Sequence, residues 1–380
     1  MPKIVLLTND FSPMVGGIAD FLQNICRLVG RDVVVQTIQM PNADSFDQSQ
    51  AYSIYRHDVE MTSLYQRNVI LPWRWIHKSH QLISHDNSAI YLGGYTSRII
   101  LTTLLYLKAR YRVKIAVVVH GGDVRALLLQ STWIRRIYMF LLRYIDLFIA
   151  NSQFTADLIH RELCISTDKL HVLNPGIHLP DAMPFVESGN TNQLPKNSGN
   201  TLLTVARLVE HKGIDNVIRA VRVLIDRGIE INYAIVGRGP DKERLKGLVS
   251  SLALEKYVNF AGFVPDDELQ DYFQHSSIFI MPSREMADGS VEGFGIVFLE
   301  AAAYGLPVIG SYSGGISDAV IDGQTGLLVN PNDVDQIAAA IMRLLSNQKL
   351  AVEMGKAGQQ RVQDKFDWNK RIKEVRQILT

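Results

Sequence analysis

Short runs of β-branched and aliphatic residues recur along the chain, and each is followed by a stretch whose apolar positions fall three and four apart. KIVLLT (3–8), DVVVQTI (32–38), AIYLG (89–93), KIAVVVH (114–120) and DLFIAN (146–151) carry apolar residues on both faces, as strands of a helix-covered parallel sheet do. GIADFLQNICRLV and a long region between residues 39 and 88 read as helical. The alternation resumes with TLLTVAR (201–207), INYAIVG (231–237), VNFAGFV (258–264), SIFIMPS (277–283), LPVIGS (306–311) and GLLVN (326–330). Between the two series, PDAMPFVESGNTNQLPKNSGN (180–200) loses its periodicity and fills with Pro, Ser, Asn and Gly, the composition of a linker. The pattern predicts an α/β protein with two Rossmann-like parallel-sheet domains, residues 1–180 and 181–365, and a C-terminal helix over 366–380 that can pack on either domain, including back on the N-terminal one. Two such units facing one another would place their strand C-termini on a shared interdomain cleft.

The length of 380 residues agrees with two domains. Lys and Arg total 39 against 38 Asp and Glu, so no general field gathers nucleic acid and any anion site must be local. Cys26 and Cys164 lack a paired spacing, which supports neither a disulfide framework nor a zinc site; core filling in a reducing cytoplasm is the expectation for both. MPKIVLLTNDF reads as a first strand rather than a signal peptide, and no apolar run approaches the ~18 residues of a membrane span.

The densest chemistry lies in SVEGFGIVFLEAAAYGLP (290–307), predicted as a loop and then a helix from about Gly295 to Gly305. The helix is apolar nearly all round, so Glu300 is expected to be buried and to need donors; a ribose diol would supply two, and a structural ion pair is the alternative. Gly293 and Gly295 flank Phe294 at the helix mouth, where bare amides and the helix dipole favour an anion. ARLVEHKG (206–213) puts Arg207 at a strand end and Lys212 at the next helix start, two cations able to stabilise a departing diphosphate unless both are simply solvated. VGGI (15–18), with Gly16 and Gly17, makes a second anion-binding turn, and His120 of HGGD stands at the rim of its strand. The D-x-D of Asp333 and Asp335 opens a helix and reads as a cap, so no metal is expected; GRGP (237–240) reads as a tight turn.

Taken in order, these pieces resemble the retaining GT-B glycosyltransferases of the family 4 type: E-x7-E at Glu292 and Glu300 joined to GFG, R-x4-K at Arg207 and Lys212, an N-terminal GGI, and His120. The look is closest to the phosphatidylinositol mannosyltransferase branch. The resemblance implies a nucleotide-diphosphate sugar, GDP-mannose or a UDP-sugar, as donor substrate, no cofactor, and a hydroxyl acceptor in glycolipid or cell-surface glycan synthesis. It further implies that Arg207, Lys212 and the amides of Phe294 and Gly295 hold the diphosphate, and that Glu300 holds the ribose. Glu292 and His120 would contact the sugar, Gly16 and Gly17 the phosphate or acceptor, and the turn at Phe263 and Val264 the base. Transfer with retention through same-face attack is the implied mechanism.

Other readings stay open on the residues alone: an epimerase or phosphorylase on this architecture, or a non-catalytic nucleotide-sugar binder. A nicotinamide dehydrogenase would need a fuller glycine fingerprint than Gly16-Gly17. WIRRIYMFLLRY (133–144) and LPWRWIHK (71–78) mix Arg with aromatic residues, either as helices covering the sheet with snorkelling Arg stems or as a peripheral contact with an anionic membrane.

Overall fold

The structure is a computed structural model that describes residues 4–14, 16–83, 90–94, 98–180 and 200–379. Most of the Pro/Ser/Asn/Gly-rich linker stretch, and Ala89, lie outside the described residues. The chain forms two compact units: residues 1–175 together with 368–380, and residues 176–367. The first break thus comes five residues before the one expected at 180, and the last thirteen residues belong to unit 1.

Unit 1 is a seven-stranded sheet of β1 (Ile4–Leu7), β2 (Val33–Ile38), β3 (Ser53–His57), β4 (Ile90–Gly93), β5 (Lys114–Val119), β6 (Leu147–Ala150) and β7 (Leu170–Val172). The order is β3-β2-β1-β4-β5-β6-β7, parallel throughout. β1, β2 and β4 are buried at every position and β5 at all but its first, which is why their sequences are continuous apolar runs. The region 39–88 is not one long helical stretch. It holds a helix at Ala43–Gln48, the edge strand β3, a π-helical turn at Gln66–Ile70 and a helix at Leu71–Ile83. Edge strands lean on a single neighbour and carry polar residues, so SIYRH in β3 and the three residues of β7 lack the apolar signature.

Unit 2 is a six-stranded parallel sheet of β8 (Thr201–Val205), β9 (Asn232–Val236), β10 (Val258–Gly262), β11 (Ile278–Ile280), β12 (Val308–Ser311) and β13 (Gly326–Val329), ordered β10-β9-β8-β11-β12-β13. The chain winds outward from β8 in one direction and then returns to start β11 on its other side. That reversal opens a crevice at the C-terminal ends of β8 and β11, where parallel α/β sheets bind ligands. Unit 1 has the same switch point between β1 and β4.

The C-terminal segment is built into unit 1. Trp368, Val375 and Leu379 are buried in one cluster with Phe21, Leu22 and Ile25 of the helix Gly17–Val29. The Trp368 ring lies 5.8 Å from that of Phe21, and the Arg371 guanidinium sits 5.1 Å over the indole while its Nε donates to Glu374 at 2.8 Å.

Candidate functional site

In unit 2 the loop after β8 carries Arg207 two residues beyond the strand, and Lys212 ends a 3-10 turn, Glu210–Lys212, ahead of the helix Ile214–Asp226. Lys212 therefore lies ahead of the helix rather than at its start, where it was expected. Its Nζ is 2.5 Å from Glu292 Oε2, and the two side chains are only 17% and 14% exposed. Arg207 is exposed, and its charge reaches His211 together with those of Lys212, Glu292 and Asp288. Burial foremost, then the cation Lys212, holds the His211 imidazole below its ordinary value. Arg207, Lys212 and Glu292 thus share one electrostatic neighbourhood at the switch point.

The backbone explains how that neighbourhood is held. The Arg284 amide donates to the His211 carbonyl at 2.7 Å, and its guanidinium grips Asp215 through bonds of 3.0 and 3.1 Å. Burial alone would raise the Asp215 carboxyl, but Arg284, Arg244 and Arg219 bring it below its usual value. Behind Glu292, the Gly315 amide donates to its carbonyl at 2.9 Å, and Gly314 sits at φ 62° with no room for a Cβ against the same oxygen. In GRGP, a Cβ at Gly237 or Gly239 would strike the carbonyls of Ala206 and Leu208, so those glycines let β9 abut the Arg207 loop. His211, Asp215, Arg284 and Gly314 escaped the sequence reading because their partners lie far along the chain.

The helix after the GFG turn spans Ile296–Ala303, capped by Gly295 at φ 91°. Among the described residues, the amides of 293–297 donate to no backbone carbonyl, which leaves an array of donors at the helix start. Phe294 is buried against Phe366, ring centres 5.8 Å apart, so only its backbone is available. The expectation that Glu300 is buried fails. Phe298, Leu299 and Ala301–Ala303 face inward, while Ile296, Val297, Glu300 and Tyr304 form a half-open face, and Glu300 acts on the phenol of Tyr304. Phe263, just past β10, is 56% exposed beneath the Arg238 guanidinium at 5.3 Å; the Val264 side chain is in the core.

In unit 1, Gly16 is the N-cap of the helix Gly17–Val29, both glycines are exposed, and Val15 lies outside the described residues. His120 follows β5 and meets Phe21 of that helix edge-on, centroids 5.7 Å apart. Its Nε2 is shielded from water without a hydrogen-bond partner, and burial pushes the imidazole down to about 4, so the ring is neutral at ordinary pH. The His120 amide donates to Asp123 Oδ2 at 3.2 Å; burial raises that carboxyl to about 7, with the His120 amide opposing and Asp10 reinforcing the rise.

A family described as Glycosyltransferase Family 4 matches residues 15–180, and one described as Glycosyl transferases group 1 matches residues 189–361. A GDP-mannose-dependent alpha-(1-6)-phosphatidylinositol monomannoside mannosyltransferase of Mycolicibacterium smegmatis is 31% identical over 99% of this chain and 98% of its own. The chain belongs to the glycosyltransferases. HepE of Anabaena in complex with UDP has the same fold, with a TM-score of 0.79 at 17% identity over 99% of both chains. Sucrose-phosphate synthase of Thermosynechococcus elongatus gives 0.80 at 22% over 100% of this chain and 98% of the other. The fold of this glycosyltransferase is thus GT-B.

Three smaller expectations for the glycosyltransferase also meet the structure. Asp333 caps the helix Val334–Ser346, its Oδ1 accepting from the Gln336 amide at 2.9 Å. Cys26 is in the core, but Cys164 is exposed, because it ends the helix Gln153–Leu163 in a left-handed conformation. The helix Leu71–Ile83 covers the sheet with Leu71, Trp75 and Ile83, whereas Thr132–Leu142 buries only Leu142 and leaves Trp133, Ile137 and Phe140 exposed. No helix among the described residues is long and apolar enough to cross a membrane.

Proposed function

We propose that this glycosyltransferase moves mannose from GDP-mannose to a hydroxyl of a phosphatidylinositol-type glycolipid, with retention of configuration and without a metal. The observation that carries the reading is the Lys212–Glu292 pair beside Arg207 at the switch point of unit 2, next to the amides of 293–297. Lysine has three donors, so pairing with Glu292 leaves two for a diphosphate, and Arg207 adds a fork suited to its oxygens. As the bond from C1 of mannose to the diphosphate breaks, these groups stabilise the charge that gathers on the leaving oxygen. That oxygen takes the acceptor's proton while the acceptor oxygen bonds to C1 on the same face, giving GDP and the mannoside. Glu292 orients the sugar, Glu300 the ribose, and the turn at Phe263 the base; His120, Gly16 and Gly17 act on the sugar and acceptor. The names of the relatives support donor and acceptor. The capping bond of Asp333 supports a metal-free site, because it employs the one D-x-D as a helix cap.

The exposed Trp133, Ile137 and Phe140, interspersed with Arg136 and Arg143, support peripheral contact with an anionic membrane.

A thermal-shift panel of GDP-mannose, UDP-glucose and UDP-N-acetylglucosamine tests the donor. GDP-mannose at 100 times its Kd should stabilise the fold by about 2.7 kcal/mol, and no shift with any of the three would remove the reading. Glu292→Gln should keep that shift while transfer to a lipid extract falls by about 100-fold or more. EDTA should leave the rate unchanged, the product anomer should be alpha by NMR, and the protein should sediment with phosphatidylglycerol vesicles but not with phosphatidylcholine ones.

A further inference from the structure

Unit 1 contains a cavity of about 210 Å³ between the sheet and the helices Gly122–Leu128 and Thr132–Leu142. Its floor is Val119 of β5 and Phe148 of β6, and Val124, Leu127 and Leu142 make apolar walls. Polar groups are few: Arg98 is exposed at the start of the helix Arg98–Tyr111, Tyr138 lies within reach of its charge, Gln130 is exposed, and Asp123 stands beside His120. The helix that lends Tyr138 and Leu142 to the wall turns Trp133, Ile137 and Phe140 to solvent, at 65%, 47% and 55% exposure. Arg136 on that helix and Arg143, the residue just after it, are exposed as well.

We propose that this cavity receives the hydrocarbon tail of the lipid acceptor, with the lipid's phosphate at Arg98. The inference rests on the glycolipid acceptor of the proposed function and adds a site for the acceptor's tail within unit 1. An apolar engineered cavity of about 150 Å³ accommodates benzene, so this one takes a segment of about eight carbons. Apolar walls reward a methylene chain and a sugar far less, because a buried hydroxyl without a partner is costly. A cation at the rim favours an anionic head over a neutral one. Asp123, whose carboxyl accepts from the His120 amide, also lines the cavity, so a seated tail would touch the group that holds His120 in place.

The test uses the full chain and dodecyl phosphate below its micelle concentration, with butyl phosphate as the short-tailed probe, by titration calorimetry. The dodecyl compound should bind about 100-fold more tightly than the butyl one. Ala126→Trp, at an exposed position that lines the cavity, should reduce that ratio at least 10-fold, whereas Arg98→Gln should weaken both probes by one common factor. Both variants should keep the wild-type thermal midpoint shift with GDP, which reports folding and the nucleotide site separately. Equal affinities for the two probes, or no effect of Ala126→Trp, would overturn the proposal even if the GDP shift persists. If dodecyl phosphate binds but does not inhibit mannose transfer to a total lipid extract, the cavity holds bulk lipid and the acceptor assignment falls.

Discussion

Asp123 shows how much a single side chain can matter without being conspicuous in the sequence. HGGD draws attention to the His, yet the Asp is the residue that fixes the His120 backbone and pays a burial penalty for doing so. Its folded pKa, about 7, lies above the ordinary value of 3.8. The folded state thus binds the proton more tightly, and this contribution to stability is complete below 3.8 and drains away as pH rises through about 7. Asp123→Asn keeps an acceptor for the His120 amide and removes the titration. It should raise stability by about 1–2 kcal/mol at pH 8 and leave it nearly unchanged at pH 4, read as urea midpoints at the two pH values. A gain of equal size at both would show that ionisation is not the cause. Part of this was readable beforehand: His120 at a strand end follows from the apolar run before it. The orphaned Nε2 and the raised carboxyl do not, because both depend on Phe21, Asp10 and the depth of the site.

At the scale of elements, the loop 283–295 is a lever pinned at two ends. Arg284 fastens one end to His211 and Asp215, and Gly314 fastens the other by letting the next loop close on the Glu292 carbonyl. Gly314→Ala should displace Glu292 and with it Lys212. Gly323 provides a control, since it too has positive φ, 74°, but an added Cβ there meets nothing within 4 Å. Each substitution carries the left-handed cost of about 1 kcal/mol, and Gly314→Ala should in addition lower kcat at least 10-fold relative to Gly323→Ala in a transfer assay. Equal kcat in the two variants would sever the link between the loop and Glu292. Central strands were legible because burial on both faces writes an uninterrupted apolar run; β3 and β7 were not, for want of a second neighbour. The helix Ile296–Ala303 misleads in the opposite way. Its composition is apolar throughout, but residues 296, 297, 300 and 304 share a side that remains half open, so Glu300 is reachable without being entombed. The Arg284–Asp215 pair spans 69 positions, and no local pattern announces it.

For the whole molecule, the allocation of the last thirteen residues to unit 1 has measurable consequences. Trp368 is 1% exposed between Phe21 and Arg371, and Trp368→Ala should cost about 3–5 kcal/mol. The loss should be local. Hydrogen exchange read by mass spectrometry should speed up in residues 4–175 and stay at the wild-type rate in 200–366; uniform acceleration would mean that the two units do not unfold separately. The alternating pattern announced two α/β bodies, whereas the return of the chain to the first of them depends on which helix accepts Trp368, Val375 and Leu379, a matter of packing rather than periodicity.

That return also sets a schedule for biosynthesis. A ribosome releases residues 1–175 long before 368–380, so the nascent first unit waits with the apolar surface of Phe21, Leu22 and Ile25 uncovered while the second is translated and folds. The body begun first is finished last, and its core closes only when residues 368–380 have followed the whole of the second unit out of the ribosome.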